Sequence, residues 1–313
     1  MSAAVDRPRS LAVLRSAAAL RRLALGSVLV NVLIVVTGGV VRLTDSGLGC
    51  PTWPSCTDAS LTPTKAYSFH GIIEFTNRQL TFLVAIFAIA TWIVALLRRE
   101  QRTLATVAAA SIPAQAVLGG LTVKTHLNPW LVAAHFLLSM AILFITAWLW
   151  WRVRLHTVYV AVPGAARALA WMTVVAAAAA LAIGTVVTGA GPHAGDLNSS
   201  GHVRRIGLRV SSMAQLHADS VMILIGLSVG LLGLLYAVHA GAGVIRAAWI
   251  LLGVELAQGV IGYTQYFLHV PPLLVGFHMF GACAVWLAVL NVLARVEPAA
   301  RFDRGEIGRA TAV

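Results

Sequence analysis

The sequence predicts an all-α polytopic membrane protein, with eight transmembrane helices arranged as two tandem four-helix bundles. Three observations predict it. The chain has 313 residues, of which 59% are hydrophobic and only 11% charged; a soluble domain is nearer about one quarter charged. Its apolar residues gather into runs of about 20 or more, the length that crosses a hydrocarbon core. Elements of the first half also recur in the second. With a mean hydropathy of +0.84, too little polar surface remains for a cytosolic enzyme or a disordered chain. Three cysteines are too few for a disulfide scaffold.

The spans read as roughly 24–43, 69–97, 103–123, 130–151, 166–188, 212–238, 246–267 and 273–294. No two-residue alternation favours strands. A net charge of +12 invites a nucleic-acid reading. The basic residues instead sit between apolar runs, as membrane topology requires, so no nucleic acid is expected. Arg7, Arg9, Arg15, Arg21, Arg22, Arg98, Arg99, Arg102, Arg152, Arg154, Arg167, Arg246, Arg295, Arg301, Arg304 and Arg309 fall on one side. Arg42, Lys65, Lys124, Arg204, Arg205 and Arg209 fall on the other. The bias expects both termini in the cytoplasm of a plasma-membrane protein, and loops 44–68 and 189–211 outside. The basic start runs into the first span without a convincing cleavage site. The expected divisions are a basic N-terminus 1–23, a first bundle 24–151, a linker 152–165, a second bundle 166–294 and a tail 295–313.

Ala114-Gln115-Ala116-Val117-Leu118-Gly119 is echoed by Ala257-Gln258-Gly259-Val260-Ile261-Gly262, 143 residues on. The same offset pairs His126 with His269, Pro129 with Pro272 and His135 with His278. Val35-Val36-Thr37-Gly38 echoes Val186-Val187-Thr188-Gly189 at an offset of 151. Four spans per half put both halves into the membrane in the same direction. The two are then related by a pseudo-two-fold axis along the membrane normal.

Polar residues inside spans are costly and usually functional. His135, His217 and His278 each fall about five residues into a span of the same direction, roughly 8 Å below the outer surface at 1.5 Å per residue. Common depth is what two histidines on opposite faces of one planar cofactor need. His217 and His278 read as axial ligands of a haem; the plainer alternative is two buried polar residues bonded across helices. His135 occupies the matching place in the first half. Its counterpart should come from His70-Gly71-Ile72-Ile73-Glu74-Phe75-Thr76-Asn77-Arg78, where 70, 74 and 77 share a helical face. Asn77 is at about the right depth, but an amide is a poor haem ligand, and His70 is shallow. One clear imidazole with an irregular partner suits a substrate porphyrin. Glu74, one turn from Arg78, is either an intrahelical ion pair or an acid/base beside that site. Glu255 and Asp219 read as groups that satisfy neighbours or helix ends. Cys50 and Cys56 can close a small loop as a disulfide, or stand as two thiols. Cys283 reads as a small apolar filler.

The stretch Gly39-Val40-Val41-Arg42-Leu43-Thr44, continuing through Ser46-Gly47-Leu48 to Cys50-Pro51-Thr52-Trp53-Pro54-Ser55-Cys56, is the specific part of a wider pattern. With Glu74-x-x-x-Arg78 and the later histidines, it resembles the haem A synthase family from about residue 25 to 294. The resemblance implies a membrane oxidoreductase that converts a methyl group (at C8) of haem O to a formyl group by successive hydroxylations, for terminal oxidases. It implies haem b between His217 and His278, His135 in a substrate site, Glu74 as the catalytic glutamate and Cys50 with Cys56 as the extracytoplasmic cysteine pair. The family commonly has His where this chain has Asn77, and His70 is the candidate substitute. Arg78 completes the expected site. Arg42, Lys124, Arg204 and Arg205 are either partners for haem propionates or solvated loop charge. Expected partners are haem O, a haem O synthase, an electron-transfer protein, the bilayer and a second copy of the chain. The competing readings are a dihaem b-type electron carrier, which needs two bis-histidine pairs, and a secondary transporter, which favours polar groups at the midplane.

Overall fold

The computed structural model describes residues 16–63, 68–155, 162–196 and 203–297. The N-terminal arginines up to Arg15, Lys65, much of the linker and the tail beyond Glu297 lie outside the described residues. The helices are α1 (Ala17–Leu43), α2 (Ser68–Arg98), α3 (Arg102–Lys124), α4 (Pro129–Arg154), α5 (Gly164–Ala190), α6 (Val210–Ala237), α7 (Ala242–Phe267) and α8 (Pro272–Val296). All eight are long and apolar enough to cross a membrane, and the chain is a multi-pass membrane protein. Among the described residues no strand forms; Thr57 and Ser60 make one isolated bridge. In hydrocarbon every backbone N–H and C=O needs an internal partner, which a helix supplies within one segment. Large apolar side chains such as Phe82, Ile86, Val260 and Leu273 point outward, a surface that only lipid solvates well.

Local sequence sets the helix ends. The Ser16 hydroxyl accepts from Ala19 N–H at 3.1 Å, and the Asn128 side chain accepts from Trp130 N–H at 3.0 Å. Pro129 and Pro272 occupy first turns, where the missing N–H costs nothing. The turns before them are alike. His126 and Leu127 have φ of 51° and 57°, His269 and Val270 of 61° and 63°. Leu127 N–H bonds to Thr122 O at 2.8 Å, and Val270 N–H to Gln265 O at 2.7 Å. Paired left-handed conformations at non-glycine residues are uncommon. Their recurrence at an offset of 143 shows the repeat in the backbone as well as in the letters. The echo at 151 is out of register, because Gly189 lies at the very end of α5 whereas Gly38 lies more than a turn inside α1.

Helix contacts follow the same duplication. Helix α1 packs on α2 and α4, and α3 packs on α2 and α4; α5 packs on α6 and α8, and α7 on α6 and α8. The halves meet where α8 touches α1 and α4 and where α4 touches α5. In that seam the Trp286 indole N–H donates to Met140 O at 3.0 Å, and Phe144 stacks on Trp148 with ring centres 5.8 Å apart. The main buried cluster draws on the later parts of α4, α6 and α8 and the earlier parts of α5 and α7. Those parts share one end of the molecule. The histidines sit toward the opposite end, which carries loop residues 44–63, 191–196 and 203–209, and belong to no buried hydrophobic cluster.

Candidate functional site

In the second half, α6 and α8 bring His217 and His278 together. Their ring centres are 6.3 Å apart at an interplanar angle of 74°. His217 follows the start of α6 by seven residues, and His278 the start of α8 by six, so the expected common depth is present. Glycines make room for both rings. A Cβ at Gly184 would stand 3.2 Å from His217 Cε1, and one at Gly262 3.3 Å from His278 Cε1. The Nδ1 atoms of both are buried without a partner, and their Nε2 atoms are not among the buried unpartnered groups. Two trans imidazoles on one metal, with metal–nitrogen bonds of about 2 Å, have ring centres about 6 Å apart. The pair would therefore suit a haem iron held between the two rings. No cluster of three or more His, Cys, Asp or Glu side chains could hold a bare metal ion among the described residues. A porphyrin needs none, since it brings its own equatorial nitrogens.

In the first half, His135 lies six residues into α4 and its ring sits against Gly119, where a Cβ would be 3.0 Å from Cε1. Its Nδ1 is also buried and unpartnered. Among the described residues no second imidazole stacks on it. Asn77 is turned toward α1: its Oδ1 accepts from Thr37 Oγ1 at 2.8 Å, which leaves the amide NH₂ facing Gly38. His70 is held by the cysteine loop. Its Nδ1 is 3.0 Å from Ser46 Oγ, and its backbone presses so closely on Gly49 that a Cβ there would overlap it.

Cys50 and Cys56 form a disulfide. The loop they close is lashed to α2 by two charged residues. Glu74, 5% exposed, accepts from Cys50 N–H at 2.7 Å through Oε2 and pairs with Arg78 through Oε1 at 2.5 Å. Arg78 also donates to Cys50 O at 2.8 Å, Thr52 O at 3.0 Å and Ser55 O at 3.2 Å. The intrahelical pair foreseen between Glu74 and Arg78 exists, and the pair also binds the loop. Trp53 lies flat against Gly120, with the Lys124 ammonium 5.7 Å from its ring centre.

A family model described as cytochrome oxidase assembly protein, COX15-CtaA, matches residues 21–290. The chain belongs to this family. Among curated relatives, the haem A synthase of Geobacillus thermodenitrificans is 33% identical over 114 residues, 35% of each chain. Those of Listeria monocytogenes serotype 4a and Geobacillus kaustophilus are 34% identical over 117 residues and 29% over 114 residues. The first covers 34% of this chain and 36% of the relative, and the second 35% of each. The aligned part spans about a third of the length of these relatives.

Several basic residues of this family member have structural employment. Arg42 donates from Nε to His193 O at 2.8 Å and from Nη2 to Thr188 O at 3.0 Å, tying α1 to the second long loop. His193 Nε2 in turn reaches Val270 O at 2.9 Å. Arg205 donates to Pro192 O at 2.6 Å. Asp219 accepts from Gln215 at 2.7 Å, as a group that satisfies its own helix. Glu255 does so in part: Oε1 accepts from Ser228 Oγ at 2.8 Å, while Oε2 is buried with no partner. Cys283 is buried and free. Two residues prominent in the repeat have a role that sequence reading did not assign. Gln115 donates to His135 O at 2.9 Å, and Gln258 to His278 O at 2.7 Å. The signal was available as the shared Gln-x-x-x-Gly spacing, whose glycines proved to be the floors under the histidine rings.

Proposed function

We propose that the chain is a haem A synthase, a membrane oxidoreductase that converts a methyl group of haem O to a formyl group by successive hydroxylations. The family and the relatives' names support this reading. The observation that carries it is the approach of the His217 and His278 rings to 6.3 Å between centres, a pair that would hold one haem iron between them. Haem b is the proposed resident group there, and when bound it supplies one-electron transfer. His217 from α6 and His278 from α8 would hold it.

The first half is the proposed substrate site. His135 faces the iron of haem O. Glu74 is the acid/base at the ring edge; the Cys50 amide and the Arg78 guanidinium hold both its oxygens, so its carboxylate is aimed before substrate arrives. Arg78 fastens the disulfide loop over the same place. Asn77, locked through its oxygen by Thr37, offers N–H groups rather than a metal ligand. His70 anchors the loop through Ser46. The repeated contact rings support two four-helix units, 24–151 and 166–294, related by an axis along the membrane normal. The loops are placed outside a plasma membrane and both termini in the cytoplasm. Haem O arrives from a haem O synthase, electrons pass to a partner protein, and self-association is expected. The dihaem carrier reading is less favoured, because no imidazole faces His135 among the described residues.

The test is incubation of purified, haem b-loaded protein with haem O and extraction of the products. Haem A forms with the unmodified chain. With Glu74→Gln, formation falls by roughly 100-fold or more, the scale of a lost general acid/base, while haem b content stays normal. Haem A at the ordinary rate in that variant removes Glu74 from the chemistry.

A further inference from the structure

The histidines at 135 and 278 share a seat that His217 lacks. In the second half, Gln258 reaches from α7 to α8 and donates its Nε2 to the main-chain carbonyl of His278 at 2.7 Å. One turn along α7, Gly262 lies under the ring; a Cβ there would be 3.3 Å from Cε1 and 3.7 Å from Nδ1. Gly281, one turn past His278, lies so close to the Gln258 carboxamide that a side chain would overlap it. In the first half, Gln115 donates to His135 O at 2.9 Å and to Ser139 Oγ at 2.6 Å. Gly119, one turn along α3, lies 3.0 Å from Cε1 and 3.6 Å from Nδ1 by the same measure. The carbonyl of His217 takes its extra bond from Ser220 of its own helix, at 2.6 Å.

Four buried atoms in these two seats have no partner: Nδ1 of His135 and His278, and Oε1 of Gln115 and Gln258. They are chemically complementary. An imidazole that gives Nε2 to iron carries its proton on Nδ1 and needs an acceptor for it. A carboxamide oxygen is an acceptor. At His278 the Cε1–Nδ1 edge faces α7, the helix that carries Gln258; at His135 Cε1 faces α3, with Nδ1 and Nε2 each 3.6 Å from a Cβ placed at Gly119.

We infer that Gln115 and Gln258 are positioning residues for His135 and His278, two of the three histidines proposed to face iron. Each amide nitrogen pins the backbone of the histidine's helix, and each amide oxygen receives the Nδ1–H once Nε2 is committed to iron. The inference rests on the proposed ligation by His135 and His278. It goes beyond that reading by naming what tunes the ligands. A hydrogen bond from Nδ1–H to a stronger acceptor makes the imidazole a better donor to ferric iron and lowers the potential, and loss of the acceptor raises it.

The experiment uses full-length protein with haem b bound. Gln258→Met removes both functions at similar volume; Gln258→Glu keeps the shape, removes the donor and strengthens the acceptor. Redox titration is expected to show opposite shifts, upward for Gln258→Met and downward for Gln258→Glu. Gln258→Met should also bind haem b roughly 10- to 100-fold more weakly, the usual effect of losing an outer partner of a metal ligand. Gln115→Met should weaken retention of added haem O and leave the haem b potential in place. Potentials for the two Gln258 variants that stay put, or move in the same direction, overturn the inference and leave the ligand assignment standing. Normal haem b content in His278→Ala overturns the ligand assignment itself. If Gln258→Met does not fold, the sign of the shift in Gln258→Glu decides.

Discussion

The two halves keep the same seat and differ in what faces it. Gln258 and Gly262 support His278, as Gln115 and Gly119 support His135. Opposite His278 stands His217, 6.3 Å away between ring centres. The first half has instead an asparagine bonded to Thr37, and a disulfide loop bound to Glu74 and Arg78. On the proposed reading, two imidazoles would hold an iron on both faces. A single imidazole would leave one face free, and Glu74 and Arg78 of the same half are bound to the disulfide loop. The difference suits a resident group in one half and a reacting one in the other.

The comparison breaks most plainly at the histidines. His217→Ala or His278→Ala is expected to abolish bound haem b, read as pigment per protein in the reduced absorbance spectrum. His135→Ala should leave that pigment near normal and abolish retention of haem O. Equal loss from all three variants would erase the distinction between the halves.

A smaller effect is expected at Arg78. Lysine keeps the charge but cannot reproduce a fork that bonds Glu74 and three loop carbonyls. Charge-assisted hydrogen bonds contribute about 1.5–3 kcal/mol each, so Arg78→Lys should slow haem A formation by roughly tenfold or more. Haem b content should not change. Unaltered turnover would mean that the loop needs no such fastening.

Asn77→His sharpens the comparison by making the first half resemble the second. A second low-spin haem signal should appear on addition of haem O, with slower turnover because both faces of the iron are held. The smallest effect is expected at the seam. Trp286→Phe removes one buried hydrogen bond to Met140 O and leaves that carbonyl its helical partner. About 1 kcal/mol of stability should be lost, seen as a modest fall in thermal midpoint with both haem sites intact.

Much of this was legible in the chain. The eight spans were readable because a bilayer leaves the backbone few alternatives to a helix. Each expected span lies within its helix or within one residue of it. The seat was half legible: Gln115, Gly119, Gln258 and Gly262 stood out as repeated letters, with no indication that an amide would cross to the next helix. His70 reads as a candidate substitute ligand, and its contact with the loop was not legible. Its shallow place on α2 brings it to Ser46, a contact 24 residues away that depends on how the loop folds back. Arg42 and Arg205 read either as propionate partners or as solvated loop charge; their bonds to backbone carbonyls at the end of α5 and in the second loop were not legible.

The sequence by itself determined the helices, their duplication and the shared depth of three histidines. These follow from apolar run length and a fixed rise per residue, both local properties. The tertiary structure alone decided which polar atoms meet: Glu74 with the Cys50 amide, Asn77 with Thr37, each glutamine with its histidine's carbonyl. Those pairings depend on the rotation of one helix against another and on where glycine lets backbones approach. That rotation is set by packing along the whole length of a helix, so no short motif records it.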